Sequence, residues 1–281
     1  MNEWQAGDVE VNKLRLHYTR TGGDRPPLVL AHGITDDGLC WTPVAQALAP
    51  EYDVVMVDAR GHGRSDAPRR GYGPTRHAKD LAGVIAKLRL DQPIVLGHSM
   101  GATAALALAG AYPHIPRAIL LEDPPPVWMP QLAGASEARP GRSHLHLWMA
   151  SVKRKTREEL IAGQRAATPD WSEAELGAWA DAKHRFSPNV IAALDSRTDT
   201  RVDWPALLRR ITCPALLITA DLAQGAVVTA ASAAALQSLI PQLEIAHIPA
   251  AGHSIRRDQL DRYLQVIRVF LARITDERLA D

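Results

Sequence analysis

Five short, unbroken apolar runs, at 28–31, 54–57, 94–96, 118–121 and 215–219, set the tightest limit on how this chain can fold. Each is about as long as a buried strand, and each soon gives way to Gly or Asp rather than continuing helically. Helical patterning fills the gaps between them, at 42–49, 77–90, 100–111 and 229–239. Strands that are apolar throughout, interleaved with helices, belong in a parallel sheet covered on both faces. An earlier pair, 9–11 and 14–18, alternates apolar and polar residues and suits an antiparallel edge hairpin. A last strand at 244–248 and a C-terminal helix at about 257–274 complete the pattern. The fold class read from this is α/β, doubly wound, with a mostly parallel sheet.

One interval breaks the alternation. From 124 to 204 no strand-like run occurs, and the segment opens with PPPVWMP before helical stretches at 144–155, 156–166, 172–185 and 190–194. Five of the seven tryptophans fall here: Trp128, Trp148, Trp171 and Trp179 within the segment and Trp204 at its end. The insertion follows a strand whose C-terminal end should face a ligand crevice, so a lid over that crevice is expected. Trp128, Met129 and Trp148 are the candidate pocket residues. The plainer possibility is a helical subdomain whose aromatics form its own core.

Composition narrows the function classes. With 46% hydrophobic and 22% charged residues over 281 positions, the chain is neither disordered nor fibrous. Thirty-two basic against 31 acidic residues leave a formal charge of +1, so no strong field favours nucleic acid or an anionic membrane. The polar start, MNEWQAGDVEVNK, lacks the apolar core of a signal peptide, and the longest apolar stretch, 102–111, is about half a membrane span. A cytoplasmic-type soluble protein is expected. Cys40 and Cys213 match no zinc or CxxC spacing and read as reduced, buried thiols.

The chemistry is concentrated at strand ends. Gly97-His98-Ser99-Met100-Gly101 lies between a buried strand and an alanine-rich helix. That is the setting for a strained strand-to-helix turn that thrusts a nucleophilic serine, Ser99, out at the sheet edge. The following helix start offers backbone N–H groups to an oxyanion, with Met100 as one donor. His32-Gly33-Ile34 ends the first buried strand and supplies the second donor, the N–H of Ile34; His32 itself reads as structural. Asp58 to Ser65 reads as a charged, glycine-rich turn and lacks a phosphate-cradling pattern. His253, in Ala251-Gly252-His253-Ser254 after the last strand, is the expected general base. His144 and His146 form an H-x-H without a third ligand, so no metal site is expected.

HGITDDGLCW, DARGHGRSDAP, GHSMG and AGHS follow one another in the order found in the α/β-hydrolase family. Across almost its whole length the chain resembles that family, and within it the small capped esterases and lactonases, including serine acyl-homoserine-lactone hydrolases. The resemblance implies a hydrolase core over 1–123 and 205–281, with 124–204 as a helical cap. It also implies a serine mechanism without metal or organic cofactor, acting on an ester or lactone. The tryptophans and methionines of the cap suggest that this small substrate is largely apolar. Amide or carbon–carbon bond cleavage on the same residues stays open. So does a low-turnover binding protein, because one position departs from the family pattern. The acid usually follows the strand at 215–219, yet its expected place holds Ala223. Asp221, two residues earlier on that turn, is the first candidate for the role. Asp123, after the strand at 118–121, is the alternative, and a Ser–His dyad is the third possibility.

Overall fold

The computed structural model describes residues 4–129, 147–148, 151–195 and 202–276. Its strands are β1 (Gln5–Val11), β2 (Leu14–Arg20), β3 (Pro27–Ala31), β4 (Asp53–Val57), β5 (Ile94–His98), β6 (Ala118–Glu122), β7 (Ala215–Thr219) and β8 (Leu243–His247). They form one sheet in the order β1-β2-β4-β3-β5-β6-β7-β8. The β1–β2 hairpin and the β2–β4 pairing are antiparallel, and every other pairing is parallel.

Strands β3 to β7 are buried on both faces, and successive residues feed two separate apolar layers. Val29, Val55, Val95, Ile119, Leu121 and Leu217 face one layer. It is closed by α2 (Pro74–Lys87), α3 (Met100–Ala111) and α8 (Ala230–Leu239). Leu28, Leu30, Val54, Met56, Leu96, Leu120 and Ile218 face the other, closed by α1 (Thr42–Leu48) and α10 (Leu260–Asp276). The predicted C-terminal helix is interrupted: Ile255–Asp258 makes a short helix, α9, and α10 starts after Gln259. Helix α3 is rich in small residues and packs closely against β3 at one end and the segment 204–208 at the other. A Cβ on Gly101 would overlap the carbonyl of Ala31, and one on Gly110 would press on that of Leu207.

Between β6 and β7 lie α4 (Arg157–Ala167), α5 (Glu173–Arg185), α6 (Pro188–Asp195) and α7 (Trp204–Leu208). Local chemistry starts these helices: Thr156 and Glu159 form a reciprocal capping box on α4, and the Ser172 side chain caps α5. No described helix is long and apolar enough to cross a membrane.

Candidate active site

The parallel strands all deliver their C-terminal ends to one edge, and Ser99, His253, Asp123 and the 33–34 segment are brought together there. Ser99 joins β5 to α3 with φ +51° and ψ −110°, a conformation few non-glycine residues adopt. Its N–H donates to the Glu122 carbonyl at 2.9 Å, tying the turn to the end of β6. The flanking glycines are obligatory, since a Cβ at Gly97 would collide with the Gly101 backbone. Met100 opens α3, so its N–H has no carbonyl one turn earlier to bind. The 33–34 segment runs alongside: a Cβ on Gly33 would sit 3.5 Å from that of Ser99 and 2.6 Å from His98 Nδ1. The Ile34 side chain packs on Phe186, Val190 and Ile191 of the inserted helices.

His253 reaches the same place from the loop after β8. Its carbonyl accepts from His98 Nε2 at 2.9 Å, and the two rings lie 4.8 Å apart. The carboxylate bound to its Nδ1 is Asp123, with Oδ2 at 2.6 Å. Asp123 is fully buried at the end of β6 and has φ +40°. Its oxygens also accept from the N–H groups of Val227 at 2.9 Å and Val228 at 3.0 Å. The loop after β7, which lacks a carboxylate at 223, therefore supplies backbone donors to a carboxylate from the neighbouring strand.

Asp221, the first sequence candidate for the acid, is engaged elsewhere. Its Oδ1 pairs with His247 Nε2 at 3.0 Å and its Oδ2 accepts from the Ala250 N–H at 2.8 Å. It stabilises the turn leading to His253 without touching that ring. His32 is buried, with Nδ1 bonded to the Gly33 carbonyl at 2.8 Å and Nε2 accepting from the Ala59 N–H at 3.0 Å. Both ring nitrogens thus shape the loop.

The pocket candidates divide. Trp128 lies in the core, its indole N–H donating to the Ser232 carbonyl at 2.9 Å, so it braces α8. Met129 is half-buried against the same layer, and Trp148 is exposed. His144 and His146 fall outside the described residues.

A cluster of charges that the sequence reading did not single out lies behind the site. Asp36, Glu122, Glu175, Lys183, Arg256 and Arg257 are all buried and paired with one another. Burial alone would raise the Asp36 carboxyl, but Arg257, Lys183 and Arg256 hold it well below the usual range. Three cations balance three anions, as a water-poor interior requires.

Three buried histidines, His62, His77 and His98, are kept neutral mainly by burial, His77 falling to about 4. Neighbouring positive groups add to the effect: Arg256 acts on His98 and Arg60 on His77. Unfolded histidines take protons near 6.5, so the unfolded chain binds more protons between that pH and the lower folded values. Stability is therefore expected to be full above about pH 6.5 and to fall on acidification by up to about 1.4 kcal/mol per pH unit for each histidine. Urea unfolding at pH 7.5, 6 and 5 reads this directly, and a flat midpoint across the series contradicts it.

Comparison with known proteins agrees with the geometry. The model of the alpha/beta hydrolase family matches residues 28–266. The N-formylmaleamate deformylase of Pseudomonas putida is 33% identical over 273 residues, covering 95% of this chain and 96% of its own. The 2-(acetamidomethylene)succinate hydrolase of Mesorhizobium japonicum is 28% identical over 268 residues, covering 94% of each. Among solved structures, the esterase RhEst1 from Rhodococcus sp. superimposes with a TM-score of 0.73 at 26% identity, covering 96% of this chain and 98% of that one. With its family matched across most of its length, this chain belongs to the alpha/beta hydrolase family.

Proposed function

We propose that this hydrolase cleaves a short N-acyl group from a small carboxylic acid through an acyl-enzyme on Ser99. The observation that carries the serine mechanism is the 2.6 Å bond between His253 Nδ1 and a fully buried Asp123, beside the strained turn that presents Ser99. With Nδ1 held by the carboxylate, His253 keeps Nε2 for the serine hydroxyl. Ser99 Oγ attacks the acyl carbon while His253 takes its proton, and the N–H groups of Ile34 and Met100 bind the oxyanion. Collapse breaks the carbon–nitrogen bond, His253 returns the proton to the departing nitrogen, and water then hydrolyses the acyl-serine.

The choice of amide over ester rests on the relatives. Both names describe a small carboxylic acid bearing an N-acyl group, formyl in one and acetyl in the other. The likeness to an esterase supports the second reading, a small ester or lactone as substrate, on the same residues. Release of formate or acetate from N-formyl and N-acetylamido acids, measured against ethyl acetate and γ-butyrolactone, separates the two. Higher kcat/KM on the amides is expected. Turnover of the ester or lactone with the amides untouched transfers the chain to the second reading.

A further inference from the structure

The Ile34 donor is held from the inserted helices as well as from the sheet. Thr35, the next residue, has φ +66°. A β-branched residue at positive φ persists only where its surroundings hold it there. From the sheet side the Thr35 N–H donates to His62 Nε2 at 3.3 Å and the Asp36 N–H to the Gly33 carbonyl at 3.2 Å. From the inserted helices the holding group is Lys183 of α5. Its ammonium is buried and donates to the Thr35 carbonyl at 3.1 Å and to Asp36 Oδ1 at 2.9 Å. Asp36 Oδ2 is met from the other side by Arg257 Nη2 at 3.2 Å and Arg256 Nη2 at 3.4 Å, both just beyond His253 in sequence. Arg256 continues to Glu122, the neighbour of Asp123, at 3.1 Å. A second ion pair, Arg185 Nε to Asp37 Oδ2 at 2.7 Å, joins α5 to the same loop.

We propose that Lys183 is a positioning residue for the oxyanion hole: by fixing the Thr35–Asp36 segment it aims the Ile34 N–H, so the hole is complete only while α5 is seated. This rests on the serine-hydrolase reading above. It assigns to the inserted helices a part in transition-state binding, in addition to any part in covering substrate. Lys183 touches no reacting atom. Its effect travels through the Thr35 carbonyl and the Asp36 carboxylate, and oxyanion donors are sensitive to small displacements because they are aimed at where charge develops.

The test compares the parent with Lys183→Met and with the charge-balanced pair Asp36→Asn/Lys183→Met. The single change leaves three buried anions facing two cations and threatens folding. The pair restores two against two, so a folded variant without the ammonium is available. For each folded variant we would measure kcat and KM on the best substrate, and the inhibition constant of a trifluoromethyl ketone that forms a tetrahedral adduct on Ser99. Positioning predicts a fall in kcat of about 10²-fold, the size of losing one oxyanion donor. KM should stay within threefold, and ketone affinity should weaken in step with kcat/KM. A folded variant with kcat and ketone affinity within threefold of the parent overturns the proposal. Fluorophosphonate labelling of the parent keeps the two readings apart. Absence of Ser99-dependent labelling sinks the serine mechanism, and the positioning role with it. Normal labelling of the parent together with unchanged variants sinks the positioning role alone.

Discussion

Ser99→Ala should leave a folded protein whose turnover is lower by about 10⁶-fold, the order seen when the nucleophile of a well-studied serine hydrolase is removed. The chemistry requires an oxygen at this turn, and alanine has none to form the acyl intermediate. Folding should be spared. Alanine carries the same Cβ as serine at φ +51°, and the contact that ties the turn to β6 is the backbone bond from the Ser99 N–H to Glu122. Product release and the melting temperature, measured together, check both halves. Activity within about tenfold of the parent, at an unchanged melting temperature, refutes the serine mechanism.

The fold was legible because burial on both faces of a strand leaves a local mark. The five apolar runs and the helical stretches between them correspond to β3 to β7 and their covering helices, with edges shifted by a few residues. The turn at Ser99 was legible for a related reason: close backbone approach demands glycine at 97 and 101, and glycine shows in a sequence. The bracing contact of Trp128 was not legible, because an aromatic residue at the mouth of an insertion looks like pocket lining. Its indole N–H finds the Ser232 carbonyl, 104 positions away. The buried charges were illegible for the same reason of distance. Asp36, Glu122, Lys183 and Arg256 come from four separate segments, and in one dimension each looks like a solvated surface charge. Lys183 near the C-terminal end of α5 resembles an ordinary helix-end cation, favoured there by the helix dipole. Only the docked helix shows it buried.

The acid was legible as a choice between two residues, and the physical difference between them sets the largest remaining prediction. Asp123 is fully buried, bonded to His253 Nδ1 and to two backbone N–H groups. Asp221 is partly exposed and bonds His247 and Ala250. Asn keeps the shape of either side chain and removes the charge. At 123 its amide can donate to His253, which favours the ring tautomer with the proton on Nε2, the nitrogen that must accept from Ser99. It also removes the anion that stabilises the imidazolium formed during attack. Asp123→Asn is therefore expected to lower kcat by about 10³–10⁴-fold, as in the best-studied serine triad. Asp221→Asn should stay within about tenfold, because its contacts act on the turn and not on the ring. The two variants must be compared after their melting temperatures are measured, since Asp123 also anchors the 227–228 backbone. Loss at 221 with activity kept at 123 would return the acid to the usual loop. Near-parent activity in both, and in the double variant, would mean that a Ser–His dyad suffices and that the 2.6 Å bond serves the loop rather than the reaction.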